Sequence, residues 1–341
     1  GSWGRIRLGA TAVAVATVTF SCAPFKKEAT GPQNRIVVVV SPEDIPLVKG
    51  PLDSLFSRVL YTPEPEPYFD LVYKDPFSFR DYDKSYNLTL ISLFTPGDTT
   101  GDRLVRDLLP SNQIQMAQEG ENRVFSSRDL FAREQVVLIL AARDAGEFRE
   151  AIQRRGEWIF TLFDEAFLKR QEAFVFKTLE QKDLSRRFQQ DYGWHMRIQH
   201  DYVILAEQPA RNFVKLGRSF PYRWISVHWT DHPPVKGLDI LTVTDEVEEF
   251  PTLYLKDMSF PDHYRHVERT VLNGREAFRV EGLWERTDEP KGGPFVSYLF
   301  YDPATDRRFH INLLIHYPGG DKGVLLRQME VMARTFSVEP R

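Results

Sequence analysis

Residues 275–316 read REAFRVEGLWERTDEPKGGPFVSYLFYDPATDRRFHINLLIH. Alternation of apolar and polar residues dominates this part of the chain, clearest at Phe278–Glu281 and His310–Leu313, and the runs Arg275–Trp284, Phe295–Tyr301 and His310–His316 lie within it. That period of two puts successive side chains on opposite faces of a strand, so the three runs read as successive antiparallel strands. The same texture reaches back along the chain. His195–Leu205 reads as a strand pair or one bent strand, and Phe213–Leu216 and Arg223–Trp229 as strands linked through Gly217–Pro221. Helical spacing interrupts the alternation at Asp245–Met258 and closes it at Gly323–Phe336, with Leu325, Leu326, Met329 and Met332 facing inward. A charged helix, Leu179–Tyr192, precedes the whole stretch.

Upstream of Lys177 the pattern differs. Arg35–Val40 (RIVVVV) is a continuous β-branched run of the kind buried on both faces. Pro51–Leu60 carries Leu52, Leu55, Phe56 and Val59 at helical spacing. Pro63, Pro65 and Pro67 alternate with glutamates in what reads as an extended rigid spacer. Further strands are expected at Phe69–Tyr73, Leu88–Phe94, Arg123–Phe131 and Gln135–Ala142, and a long helix at Asp144–Phe176. Pro96–Gly120 reads as irregular, with a turn of helix at Leu104–Leu109. The fold class is therefore α+β, with two α/β sandwich-type domains at 35–177 and 178–341, the second a mainly antiparallel sheet packed by helices.

The first residues are an address. Arg5 and Arg7 precede Leu8–Phe20, thirteen residues without charge, followed by Ser21-Cys22, which holds the only cysteine of the 341 residues. Such a run is shorter than the ~20 apolar residues of a membrane span and fits a secretory leader. The small residue before a lone cysteine marks 1–21 as a lipoprotein signal, Cys22 as the acylated residue and 22–34 as a polar tether. Ala23-Pro24-Phe25-Lys26-Lys27 lacks the acidic surface-export tag, so an outer-membrane lipoprotein facing the periplasm is expected. Losing Arg5 and Arg7 with the leader takes the formal charge from −4 to −6. No basic block or stripe stands against that acidity, so nucleic acid is not an expected partner.

Catalytic patterns are thin. No G-x-S-x-G elbow is present, Gly97–Asp102 lacks the Gly-Lys-Ser/Thr of a phosphate loop, and no cofactor is expected. All eight histidines fall between 195 and 316. His228 and His232 would share a strand face, whereas His263 and His266 read as part of a connector, so the four are weak metal candidates. In the 282–295 hairpin, Gly292 and Gly293 allow positive φ, Pro294 stiffens the exit, and Gly282, Trp284 and Phe295 complete a candidate docking rim with two aromatic anchors.

The segments VVVVSPEDI, GPLDSLFSRVL, PEPYFDLVYKDPFSF, NFVKL, RWISVHW, LNGREAFRVEGLWERTDEPKGGPFVSYLFYD and LLRQMEVMARTF together resemble the Bacteroidota lipoprotein family catalogued as domain of unknown function 4837. The resemblance spans nearly the whole mature chain, and its most specific piece is Gly282-Leu283-Trp284 followed by Gly292-Gly293-Pro294-Phe295. It implies an exported lipoprotein and no known chemistry. The C-terminal half also resembles, more loosely, the PsbP-like fold, in which the chain ends in a helix and a short strand, here Thr335-Phe336-Ser337. The expected function is binding rather than catalysis: an assembly module for other envelope proteins, anchored in the membrane by lipid. The alternatives are capture of a small ligand or glycan fragment in a pocket between the domains, and a metal-assisted hydrolase built on the 228–232 and 263–266 histidines.

Overall fold

The computed structural model describes residues 26–94, 97 and 99–339. The leader and the lipidation candidate Cys22 lie outside the described residues. The N-terminal domain runs β1 (Arg35–Val39), α1 (Ile45–Leu55), β2 (Val59–Leu60), β3 (Glu66–Pro67), β4 (Asp70–Lys74), α2 (Phe79–Tyr82), β5 (Asn87–Ser92), α3 (Thr100–Leu108), α4 (Ser111–Glu119), β6 (Val124–Arg128), β7 (Val136–Ala141) and α5 (Ala145–Val175). Its five-stranded sheet has the order β4-β1-β5-β7-β6, parallel except for β6. The unbroken valines of β1 follow from burial on both faces. Ile36, Val38 and Val40 meet α1 and α5, while Val37 and Val39 meet α3 and α4.

Several boundaries depart from the sequence reading. The first helix starts at Ile45, and Pro51 lies inside it rather than opening it. The carbonyl deprived of a donor by Pro51 belongs to Leu47, which is exposed, so water can satisfy it. The supposedly irregular 96–120 stretch holds two helices. Thr99 and Asp102 form a reciprocal capping box for α3, and Gly120 ends α4 at φ +77°. Part of the expected tether is docked on the domain. Ala29 is buried beside Tyr86 and Ala132, Ala29 N donates to Arg133 O at 3.0 Å, and Thr30 N donates to Lys84 O at 2.9 Å. A polar composition conceals such a segment because backbone groups make the contact.

The C-terminal domain runs α6 (Lys182–Tyr192), β8 (Trp194–His195), β9 (Val203–Gln208), β10 (Phe213–Arg218), β11 (Tyr222–Asp231), α7 (Ile240–Tyr254), β12 (Met258–Ser259), β13 (His266–Leu272), β14 (Arg275–Arg286), β15 (Gly292–Asp302), β16 (Arg307–His316), α8 (Gly323–Ala333) and β17 (Ser337–Val338). Its antiparallel sheet has the order β12-β14-β15-β16-β11-β10-β9, with β13 also on β14. α6 and α8 pack on one face and α7 on the other. β17 pairs with β8, the terminal helix-then-strand that the PsbP-like resemblance implies. The expected helix at 245–258 is displaced to 240–254, because Asp239 Oδ1 accepts from Thr242 N at 2.8 Å and fixes the start. β13 carries a mostly exposed side-chain pattern, which left it unread as a strand.

The two domains meet along α5 and α8. Arg327 of α8 is buried, pairs with Asp164 of α5, and lies over the Phe167 and Tyr68 rings at 4.1 and 4.8 Å. Gln328 Nε2 donates to Gln171 Oε1 at 3.0 Å. The Pro63–Pro67 stretch is no spacer. Its end is half of the small β2/β3 hairpin, which delivers Glu66 to the start of α8, where Lys322 N and Gly323 N donate to its carboxylate at 2.8 and 2.6 Å.

Candidate functional site

Even-numbered residues of β11 and β16 face α7. At one end of the sheet α7 seals them, with Tyr254 Oη and His228 Nε2 2.7 Å apart and Phe250 over His310 at 4.1 Å. At the other end the same face is open. Phe220 and Tyr222 are 56% and 44% exposed, and Trp224 is half-buried. Tyr222 and Trp224 lie 6.0 Å apart with nearly parallel rings, and Phe220 meets Tyr222 and Tyr317 edge-on at 5.7 and 5.3 Å. His316 joins at 6.4 Å from Tyr222.

Two glycines let these rings lie against the sheet. Across the strands, Tyr222 faces His316, and Trp284 faces Gly293. A Cβ at Gly293 would collide with the Ile315 carbonyl oxygen, the group that accepts from Trp284 Nε1 at 3.0 Å. Trp284 thus underlies the strip, edge-on to Trp224 at 5.9 Å. Gly217 plays the same part at the edge, where Leu205 folds over it and Trp224 Cδ1 would stand 2.7 Å from a Cβ. Val203 and Leu205 are 55% and 51% exposed, and β10 is the only strand paired with β9 among the described residues. An apolar strip therefore runs from an open backbone edge across Trp224 to Phe220.

The hairpin rim must be corrected in this light. Trp284 and Phe295 are buried, Phe295 stacking on Phe260 at 4.2 Å, so neither is an exposed anchor. Gly282, Gly293 and Pro294 are buried too, and Gly292 is half-buried with its carbonyl accepting from His316 Nδ1 at 3.1 Å. Neither Gly292 nor Gly293 has the positive φ foreseen for it. Their smallness matters instead. Sequence reasoning missed Phe220, Tyr222 and Leu205; the period-two spacing of Tyr222 and Trp224 was the available signal, and beginning the strand at Arg223 hid it.

The histidines do not converge. His228 points under α7, where burial, then Arg308 and Arg211, lower its pKa to about 4. His232 lies beyond the strand, 3.0 Å from Asp306 Oδ2. His263 is exposed, and His266 stacks on Tyr61 of the other domain at 5.6 Å. Among the described residues, no group of three or more His, Cys, Asp or Glu is placed to hold a metal ion.

One buried row invites a chemical reading. Ser297 Oγ lies 2.8 Å from His310 Nε2, and His310 Nδ1 lies 3.8 Å from Glu246 Oε1. Nucleophile, base and orienting carboxylate would share this order. Ser297 and His310 have no exposed surface, however, and Asn312 Nδ2 also donates to Ser297 Oγ at 2.9 Å. The row holds the sheet to α7 and offers a substrate no approach. The seam between the domains offers little more, a cavity of about 280 Å³ beside Glu66, Phe167 and Arg327.

These features define a two-domain α+β protein whose antiparallel domain carries an uncovered aromatic strip. Residues 181–335, which make up most of that antiparallel domain, match the model of a family described as a domain of unknown function, DUF4837. Residues 29–176 match a different family model, also a domain of unknown function, DUF8532. The resemblance to the first family is thus confined to the C-terminal domain rather than spanning the mature chain. No curated protein matches. Among solved structures, a protein of Bacteroides thetaiotaomicron VPI-5482 is similar at 6% identity over 44% of this chain and 47% of that one, with a TM-score of 0.30. This chain therefore spans about half the length of that structure. The Ran-binding protein Mog1p of Saccharomyces cerevisiae aligns at 11% identity over 43% of this chain and 91% of its own, TM-score 0.32. LpqN of Mycobacterium tuberculosis, involved in cell envelope biogenesis, aligns at 12% over 43% and 83%, TM-score 0.29. Likeness this partial transfers neither ligand nor activity.

Proposed function

We propose that this chain is a non-catalytic cell-envelope protein, anchored through Cys22 on the periplasmic side of the outer membrane. In this reading its C-terminal domain receives an extended segment of another envelope protein at the open end of the sheet. The address rests on the leader Gly1–Ser21 and the lone cysteine that follows it. The observation that carries the binding role is the union of an edge strand, β9, paired on one side alone among the described residues, with a contiguous apolar strip from Leu205 over Trp224 to Phe220. An open edge presents backbone donors and acceptors that only another extended chain satisfies in series. Rigid aromatic side chains beside it supply contact area at small entropic cost. A glycan or a small ligand would use the rings and leave the edge unused.

The test is photo-crosslinking in the native host, using the full chain with benzoylphenylalanine at position 205 or 222. Reference probes go at Phe77 and Leu179, which are 85% and 87% exposed elsewhere on the molecule. Discrete protein adducts are expected from 205 and 222 and not from the references, and Leu205→Asp should abolish the adduct from 222. The same adducts at all four positions, or none at 205 and 222, would overturn the reading.

A further inference from the structure

A second concavity lies on the same face of the sheet, where the 232–239 loop leads into α7. Leu238, Val271, Phe278 and Tyr301 help line a cleft of about 680 Å³ between that loop and strands β13 and β14. The volume suits a ligand of drug or lipid size, for which about 300–1,000 Å³ is usual. Its surroundings are apolar as well: Val235, Ile240, Leu241 and Val271 are 55%, 56%, 75% and 65% exposed. Such side chains stay in water in the free protein, and an occupant with a hydrocarbon portion would cover part of them.

The charges divide unevenly. Arg275 Nε is held by Asp302 Oδ1 at 3.1 Å, and Lys236 Nζ by Asp306 at 3.0 Å. Glu276 is exposed at the rim on the neighbouring strand. Arg269 differs. Its guanidinium lies over the Phe278 ring at 5.2 Å, on the cleft wall, and no carboxylate among the described residues pairs with it. An arginine anchored on an aromatic face keeps its donors fixed and aimed outward, the disposition that reads a carboxylate or phosphate.

We propose that this cleft binds a single-chain anionic amphiphile, its hydrocarbon along Leu238, Val271 and Phe278 and its acidic head on the Arg269 guanidinium. The site is separate from the β9 edge, so the two readings fail independently. The cleft also lies within one domain, unlike the interdomain pocket expected for small-ligand capture.

The experiment titrates the full chain with dodecanoate, using displacement of dansylaminoundecanoate fluorescence. Dodecanol, acetate and phosphatidylglycerol vesicles serve as comparison arms. Dodecanoate should bind with one-to-one stoichiometry and at least tenfold more tightly than dodecanol, while acetate does not displace the probe. Arg269→Gln should remove the preference for the acid and leave dodecanol binding unchanged. Gly237→Trp should abolish binding of both with little change in melting temperature, since Gly237 lines the cleft and a Cβ there meets no atom within 4 Å. Equal binding of acid and alcohol overturns the proposal, as does binding that survives Gly237→Trp. Binding to vesicles without binding of monomeric dodecanoate overturns it too, assigning the apolar rim to a membrane surface instead.

Discussion

Gly293 shows how a single missing atom organises the strip. The residue is extended, so its value lies in the space it leaves for the Ile315 carbonyl and the Trp284 indole. Gly293→Ala should therefore cost about 2–3 kcal/mol in chemical denaturation, whereas Gly237→Ala, which meets open space, should stay within about 0.5 kcal/mol. Equal losses in the two variants would remove the close approach as the explanation. The sequence drew attention to the right residues for the wrong reason. A Gly-Gly-Pro run between strand signals looks like a turn, and nothing local reveals that its second glycine already sits opposite Trp284 in the ladder. His310 teaches the same lesson. Its strand and face, shared with His316, are legible from the alternation, while its complete burial under Phe250 depends on where α7 packs.

At the scale of elements, capping decides most of the boundaries. Thr99 and Asp102 spell a capping box that was open to reading, but neighbouring glycine and aspartate gave the stretch a loop-like composition. The cap of α8 could not be read, because its acceptor arrives from residue 66, more than 250 positions away. Glu66 satisfies two backbone donors at a helix start, where a negative charge is also favoured by the helix dipole. Glu66→Ala should cost about 1–2 kcal/mol. In hydrogen exchange, the amides of Lys322 and Gly323 should lose protection selectively. Unchanged exchange there would mean that the β2/β3 hairpin contributes nothing to holding the helix.

Across the whole molecule, the sheet of the second domain carries a buried ionic cluster close to the seam. Arg279 Nε donates to Glu330 Oε1 at 2.7 Å, its Nη1 pairs with Glu281 Oε2 at 2.9 Å, and Tyr298 Oη donates to Glu330 Oε1 at 2.7 Å. Burial would push the Glu330 carboxyl up, but Arg279 and Arg334 hold it below the ordinary range, while Glu281 stays raised by burial. Arg279→Met strands both carboxylates and should cost about 3–5 kcal/mol, much of which returns when Glu281→Gln and Glu330→Gln are added. A loss under about 1 kcal/mol for the single change would show that the three groups do not depend on one another. The two-domain α+β plan was visible in the change from continuous to alternating apolar runs. The seam was not, since it rests on Arg327 and Gln328, polar residues on α8 that sequence patterning assigns to solvent.

The clamped segment near residue 29 has a mechanical consequence. Arg133 N donates to Lys27 O at 2.9 Å, so the chain is already pinned to the globular body at that point. Were Cys22 acylated as proposed, no more than five residues would separate the lipid from that point, a reach of at most about 17 Å. A body so attached would stand close to the lipid headgroups. Its partners would have to come to the bilayer surface.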